Sequence, residues 1–475
     1  MGFLDTTYAK LPVWAQHGAV SLYGLYWYWY RFGPGFAACV EEYRDRSRWH
    51  AEDWRSWQKQ QLKDLLRSAA THVPYYHRTW SNEHKTAAAA GRLEELPLLG
   101  KEPLRENPRD FLHKNIHPLS TKTCYTSGST GTPIASIWLT KEMRRAMAVR
   151  EARSARWAGV SFRHPRATFS GRLAEPDPNS TGPFYRFNWI EGQVYFSPYH
   201  LKPENAEKYV WALKRHRTRW LTGYAVSYYL LAKFMLEQKI APPPTLKAVV
   251  TTSEKLTPEM RQVMQEAYRC RVYEEYSTVE NVLFACECEQ GRLHASPDVG
   301  VIEILRPDGT PCEPGEVGEV VATCLMRTYQ PLIRYRVGDA ACWDAEPCPC
   351  GRDMPVIKEV TGRIEDVVIG PDGRQLVRFH GIFVNQPHVR EGQIIQESLD
   401  WIRVKVVATH GFGADDEHDI IARVQQRLGA GVRVTVEQVA EIPRTKTGKF
   451  QAVINNMHKT RLASSEVQDT GVVNV

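Results

Sequence analysis

Between residues 246 and 273 the chain reads strand, helix, strand, and that unit limits the possible folds more than any other stretch. Leu246-Lys247-Ala248-Val249-Val250-Thr251-Thr252-Ser253 is an apolar, β-branched run. Thr257-Pro258 then opens a helix whose apolar positions Met260, Val263, Met264, Ala267 and Tyr268 recur at helical spacing and mark one buried face. Arg271-Val272-Tyr273 returns to an extended pattern. A helix between two strands implies a parallel pair joined by a right-handed crossover. The fold class is therefore α/β, and the loops leaving the strand ends, at Thr252-Ser253-Glu254-Lys255 and Tyr276-Ser277-Thr278-Val279-Glu280, are where a ligand is expected.

A chain of 475 residues exceeds one ordinary core, so two domains of unequal size are expected. With 43% hydrophobic and 24% charged residues the composition is that of a soluble globular protein. The net charge of +7 is mild and its basic residues are scattered, which suits a bound polyphosphate and gives no reason to invoke nucleic acid. The opening residues lack a basic region followed by an apolar stretch and a small-residue cleavage site, and no apolar run reaches the length of a membrane span, so the expectation is a cytoplasmic setting without a secretory signal. The ten cysteines then read as thiols or metal ligands, not as a disulfide framework.

A second stretch carries chemistry. In Tyr125-Thr126-Ser127-Gly128-Ser129-Thr130-Gly131-Thr132-Pro133, hydroxyl residues and glycines fill every position from Thr126 to Thr132. Such a loop bends closely and presents N–H and O–H donors, as phosphate binding requires, although a plain polar turn has the same composition. No lysine follows its second glycine, so it is not the loop of enzymes that transfer a terminal phosphoryl group. Residues 134–139 read as a strand and Thr140 as the cap of a helix that carries Met143, Ala146 and Met147 and stops near Gly159, which would place the loop at a sheet-strand end.

The order of motifs gives more than their composition. The hydroxyl-rich loop is followed by Tyr276-Ser277-Thr278-Val279-Glu280, Tyr335-Arg336-Val337-Gly338-Asp339, Thr361-Gly362-Arg363-Ile364-Glu365-Asp366 and Pro443-Arg444-Thr445-Lys446-Thr447-Gly448-Lys449. This series resembles the adenylate-forming superfamily of acyl-CoA synthetases, peptide-synthetase adenylation domains and luciferases. The opening third resembles its phenylacetate-CoA ligase-like branch, and more closely a subgroup associated with capsular polysaccharide biosynthesis. The resemblance implies a large N-terminal adenylate-forming domain, residues 1–363, with mixed, partly parallel sheets flanked by helices, and a small, mobile α+β C-terminal domain, residues 364–475.

It also implies roles. Thr126, Ser127, Gly128, Ser129, Thr130 and Gly131 would hold the β- and γ-phosphates of ATP, and Ser253 with Glu254 would lie along adenine. Tyr276 would cover the adenine face, Glu280 would help hold Mg²⁺, and Asp339 with Arg363 would bind the ribose. Lys449 would bridge the carboxylate and the α-phosphate, arriving on the small domain as it turns about a hinge at Glu365. Three positions depart from the pattern: Ser277 stands for glycine, Val279 for a hydroxyl residue and Glu365 for aspartate or lysine. The phosphate contact would then fall to Thr278 or be absent. The implied reaction is ATP-dependent activation of a small carboxylic acid, with transfer to CoA, to an amine or to a carrier protein. A non-catalytic nucleotide-binding or assembly module is the reading of another class, motivated by the three departures.

Three further expectations concern aromatic and sulfur-bearing residues. The aromatics Phe169, Phe184, Tyr185, Phe187, Trp189, Tyr195 and Phe196 are either the wall of an acyl pocket, as the resemblance implies, or core. Tyr23 to Tyr30 is expected to bury its rings against the large domain or a second copy in a homodimer, in preference to a membrane surface. Cys288, His294, Cys348 and Cys350, with Cys286 as substitute, form a candidate tetrahedral zinc set whose alternative is buried reduced thiols.

Overall fold

The computed structural model describes residues 8, 10–125, 134–170, 174–175, 177, 179–254, 256–360, 368–372, 375–376, 379–383, 386–442 and 453–457. Helices form the opening: α1 (Val13–Phe32), α2 (Phe36–Arg46), α3 (Ala51–His72), α4 (Pro74–Thr79), α5 (Asn82–Ala90) and α6 (Glu102–Glu106). Two short strands, β1 (Thr121–Tyr125) and β2 (Ala135–Leu139), pair antiparallel as a separate sheet. Next come α7 (Thr140–Val149), α8 (Ala206–Arg215), α9 (Ala225–Glu237) and α10 (Pro258–Tyr268). Among them run β3 (Arg166–Phe169), β4 (Tyr185–Asn188), β5 (Gln193–Phe196), β6 (Trp220–Tyr224), β7 (Ala248–Thr252) and β8 (Arg271–Ser277). The sheet is completed by β9 (Phe284–Glu287), β10 (Leu293–Ala295), β11 (Gly300–Leu305), β12 (Gly318–Cys324), β13 (Tyr335–Trp343) and β14 (Val356–Val360). The twelve strands lie in the order β11-β12-β13-β14-β10-β9-β8-β7-β6-β3-β5-β4.

At its centre β6, β7 and β8 are parallel, with Leu221 opposite Val249 and Val249 opposite Val272. α10 crosses between β7 and β8, and Thr257 caps it by accepting from the Met260 N–H at 3.2 Å. Its Met264, Ala267 and Tyr268 are buried against Val249 and Val272, each large apolar side chain contributing about 1.5–3 kcal/mol of burial. Gly223 is the position in β6 where glycine is required: a Cβ there would lie 2.0 Å from the Phe169 carbonyl oxygen, and φ is +129°.

α7 starts one residue earlier than a Thr140 cap would give. Leu139 is the cap, and its N–H donates to Glu142 Oε2 at 3.0 Å. The helix continues through a π-helical turn, Arg150–Ala155, which aims Arg153 inward. Arg153 is fully buried and donates to both oxygens of buried Asp298 at 2.7 and 2.9 Å, tying this helix to the segment before β11.

The N-terminal helix departs from expectation. α1 packs on β4 and α7 through small and polar residues, Gln16, Ser21 and Gly24, with Tyr30 the one buried ring among them. A Cβ at Gly24 would meet Asn188 Nδ2 at 2.2 Å, so the approach is too close for a larger residue. Trp14, Tyr23, Tyr26, Tyr28 and Trp29 face outward. Of the aromatics offered as an acyl wall, Phe169, Phe184, Tyr185 and Phe196 are core, Trp189 is exposed, and Phe187 packs on His216.

The C-terminal part has its own sheet and core. A short pair, β15 (Val368–Ile369) and β16 (Gln375–Leu376), flanks Asp372. β17 (Val389–Ser398), β18 (Trp401–Ala408), β19 (Arg433–Gln438) and β20 (Val453–Asn455) form a four-stranded sheet in the order β19-β18-β17-β20. α11 (Ala414–Leu428) covers it with Ile420, Val424 and Leu428. Among the described residues no helix is long and apolar enough to cross a membrane.

Candidate active site

The strand order places two expected motifs side by side. β8 delivers Tyr276 at its C-terminal end, and β13 carries Asp339. The Tyr276 hydroxyl donates to Asp339 Oδ2 at 2.9 Å, so an aromatic face and a carboxylate from motifs 63 residues apart border one space. Gly338, beside Asp339, has φ +83° and lets β13 bend there.

Glu280 lies four residues beyond Tyr276 and is 6% exposed. Its Oε1 accepts from the Tyr335 hydroxyl at 2.8 Å, and Tyr335 is itself buried at the start of β13. A carboxylate has acceptor capacity beyond that one bond. Asn281, next in the chain, takes a left-handed conformation, φ +54°, which turns the chain out of the loop. Thr278 Oγ1 is covered and finds no partner among the described residues. A covered hydroxyl without a protein partner is costly unless a ligand or water supplies one. Val279, at the position expected to carry a hydroxyl, is exposed.

β1 and β2 flank residues 126–133, and they are not part of the large sheet. The expected strand end is therefore that of a two-stranded antiparallel hairpin and not of the large sheet, with Tyr125 opposite Ala135. Side chains hold that hairpin in place. Buried Arg327 donates to Ser136 Oγ and to the Glu280 carbonyl, both at 2.7 Å, and to the Ile137 carbonyl. Gln330 accepts from the Ile137 N–H at 2.8 Å and donates to the Ala135 carbonyl at 3.3 Å. Glu142 accepts from the N–H groups of Thr328 and Tyr329 at 2.9 and 3.0 Å. Burial pulls the Arg327 guanidinium below its ordinary pKa, with Glu142 opposing that shift. Arg327, Gln330, Glu142 and Tyr335 have no role in the sequence reading. The buried acidic residue at the third position of α7 and the lone arginine after β12 were the signals available.

Ser253 and Glu254 end β7. Ser253 is exposed with φ +74°, a conformation that favours glycine and here turns the loop outward. Glu254 Oε2 accepts from the Val226 N–H at 2.9 Å, capping the first turn of α9. One oxygen of Glu254 is thus committed to a helix terminus. Ser277 is half-buried at the end of β8. Thr126, Ser127, Gly128, Ser129, Thr130, Gly131, Arg363, Glu365 and Lys449 lie outside the described residues.

The sulfur and imidazole set is brought together. The ligand atoms of Cys288, His294, Cys348 and Cys350 all lie within 4.8 Å of one another. Cys286 is not in the group and belongs to the main core.

Residues 369–456 match the CapK C-terminal domain family. CapK of Staphylococcus aureus is 24% identical over 469 residues, covering 96% of this chain and 100% of CapK. A phenylacetate-coenzyme A ligase of Thermus thermophilus is 24% identical over 445 residues, covering 85% of this chain and 97% of the ligase. In fold the chain is similar to 2-hydroxyisobutyryl-CoA ligase, solved with 2-HIB-AMP and CoA in the thioesterification state. The TM-score is 0.57 and the identity 21%, over 90% of this chain and 94% of that one.

Proposed function

This chain belongs with CapK and the phenylacetate-CoA ligases in the adenylate-forming superfamily, and from that premise we propose that it activates a small carboxylic acid with ATP and passes the acyl group to CoA. The observation that carries the reading is the 2.9 Å contact between Tyr276 and Asp339, which gives one space both a ring for a base and a carboxylate for two ribose hydroxyls.

In this reading a carboxylate oxygen of the acid attacks the α-phosphorus of ATP. The bond to the bridging oxygen breaks and pyrophosphate leaves. The thiol sulfur of CoA then attacks the acyl carbonyl carbon, AMP departs and the thiol proton passes to solvent. The protein's work is alignment of two anions and stabilisation of the charge that develops. Tyr276 stacks on adenine, Asp339 and Arg363 hold the ribose, residues 126–131 hold the β- and γ-phosphates, and Thr278 supplies the hydroxyl that Val279 lacks. A magnesium ion beside Glu280 would neutralise phosphate charge, and a buried carboxylate with spare acceptor capacity suits a hard cation. Lys449 reaches the carboxylate and α-phosphate from the unit formed by residues 364–475, which moves relative to residues 1–363 between the two half-reactions. ATP and CoA as substrates favour a cytoplasmic location.

Incubation with ATP, Mg²⁺ and a panel of aryl and short aliphatic acids, with and without CoA, tests this. Acid-dependent exchange of pyrophosphate into ATP and a CoA thioester are the expected products. An amide or a loaded carrier with no thioester would change the acceptor, and absence of AMP release across the panel would overturn the reading.

A further inference from the structure

Cys288, His294, Cys348 and Cys350 stand away from the nucleotide motifs. Along β9, Ala285 is opposite Tyr276, and Cys288 follows three residues later. Along β13 the chain runs from Asp339 to Trp343 before reaching Cys348 and Cys350. The cluster is thus displaced toward the other end of these strands. It brings together the turn between β9 and β10, His294 in the middle of β10, and the loop between β13 and β14.

The distances fit one ion. Cys288 Sγ and Cys348 Sγ are 3.6 Å apart, and Cys350 Sγ is 3.4 Å from His294 Nε2. Ligands at about 2.3 Å for sulfur and about 2.0 Å for nitrogen around tetrahedral zinc would be separated by about 3.8 and about 3.5 Å. A disulfide would need sulfurs about 2.05 Å apart, far closer than these.

The surroundings supply what a zinc centre needs. His294 Nδ1 faces the Met354 carbonyl at 3.2 Å, which fixes the proton there and leaves the Nε2 lone pair toward the thiols. The Gln290 N–H donates to Cys288 Sγ at 3.3 Å. Cys348-Pro349-Cys350-Gly351 closes a tight turn through the Gly351 N–H and the Cys348 carbonyl, with Gly351 at φ +77°. Three thiolates and one zinc carry a net negative charge. Arg352, stacked on Trp157 at 4.3 Å and paired with Glu289, stands beside Cys350 to offset it.

We infer that these four residues bind one structural zinc ion that pins the β9–β10 turn to the β13–β14 loop. Four protein ligands close the tetrahedron, so no position remains for water or substrate. The site is independent of the proposed ligase chemistry and stands or falls separately from it.

The test is metal content of the full chain purified without chelator or affinity metal. About one zinc per chain is expected, retained in Cys39→Ser and lost in Cys348→Ser and Cys350→Ser. Cobalt(II) exchanged into the wild-type chain should give thiolate-to-metal charge-transfer bands and intense tetrahedral d–d bands, a readout that does not depend on any variant folding. Zinc well below one per chain together with no cobalt spectrum would overturn the proposal, as would a Cys288–Cys348 disulfide found in the freshly isolated protein.

Discussion

The Arg327 guanidinium donates to the Glu280 carbonyl at 2.7 Å while the same nitrogen donates to Ser136 Oγ at 2.7 Å. One buried cation therefore sets the spacing between the strand that leaves the hydroxyl-rich loop and the segment that carries the proposed magnesium ligand. It also lies 4.2 Å from the Trp138 ring centroid, so its planar group rests over an aromatic ring as well as being hydrogen-bonded.

Replacing Arg327 with methionine leaves the Ser136 hydroxyl and two carbonyls without their donor. Removing one partner from a buried charged network costs about 3–5 kcal/mol, so urea unfolding should show that loss. Arg327→Lys recovers little of it, because an ammonium lacks the planar fork that reaches Ser136, Ile137 and Glu280 together. A wild-type urea midpoint in either variant would remove Arg327 from its anchoring role.

Tyr276→Phe keeps the ring and removes the hydroxyl that donates to Asp339. One neutral donor to a charged acceptor contributes about 1.5–3 kcal/mol at most, and in the proposed complex the acceptor regains partners from ribose. The expected effect is a rise of about fivefold or less in KM for ATP. Asp339→Ala removes both proposed ribose acceptors and should raise it about 10- to 100-fold. Equal effects from the two substitutions would contradict a ribose role for Asp339.

Lys449→Ala should cut acid-dependent pyrophosphate exchange about a hundredfold or more, the scale of losing one charge-stabilising donor in a transition state. Thioester formation from a supplied acyl-adenylate should persist, since the proposed domain motion withdraws the lysine for that step. Loss of both half-reactions in equal measure would make Lys449 structural.

His216 gives a pH dependence of stability. Burial pushes its imidazole down from 6.5 to about 4, with Arg215 and then His17 adding to the shift. The folded state thus favours the neutral ring more than the unfolded chain does. Its contribution is intact above about pH 6.5, falls as pH drops toward about 4, and is flat below that. A plot of Tm against pH should slope less over this interval in His216→Gln than in the wild-type chain, and identical slopes would assign the acid lability elsewhere.

The β7–α10–β8 unit was legible because its signals are local: two β-branched runs, a proline-opened helix and one apolar face. For the same reason Val301-Ile302-Glu303-Ile304-Leu305 and Glu319-Val320-Val321-Ala322-Thr323, joined through Pro307-Asp308-Gly309, read as paired strands from the sequence, and β11 and β12 pair with Val301 opposite Thr323. The place of the hydroxyl-rich loop was not. A five-residue strand reads alike in a parallel sheet and in a hairpin, and what holds this hairpin is Arg327 and Gln330, almost two hundred residues later. In α1 the aromatics surround the helix, so periodicity names no inner face. Ser21 and Gly24 define it by allowing close approach to β4. The same ambiguity hid that Phe169, Phe184 and Phe196 fill the core while Trp189 is exposed. The sulfur and imidazole set was legible as residue types at two places, because metal-ligand chemistry restricts the choice to few residues.

The β1–β2 hairpin shares no ladder with the twelve-stranded sheet. Its length and loop sequence can therefore be exchanged as a cassette, provided the inward side chains at its base are kept, without shifting the register of the strands that present Tyr276 and Asp339. Under the proposed roles, phosphate grip and base recognition are thereby separate parts, open to independent redesign.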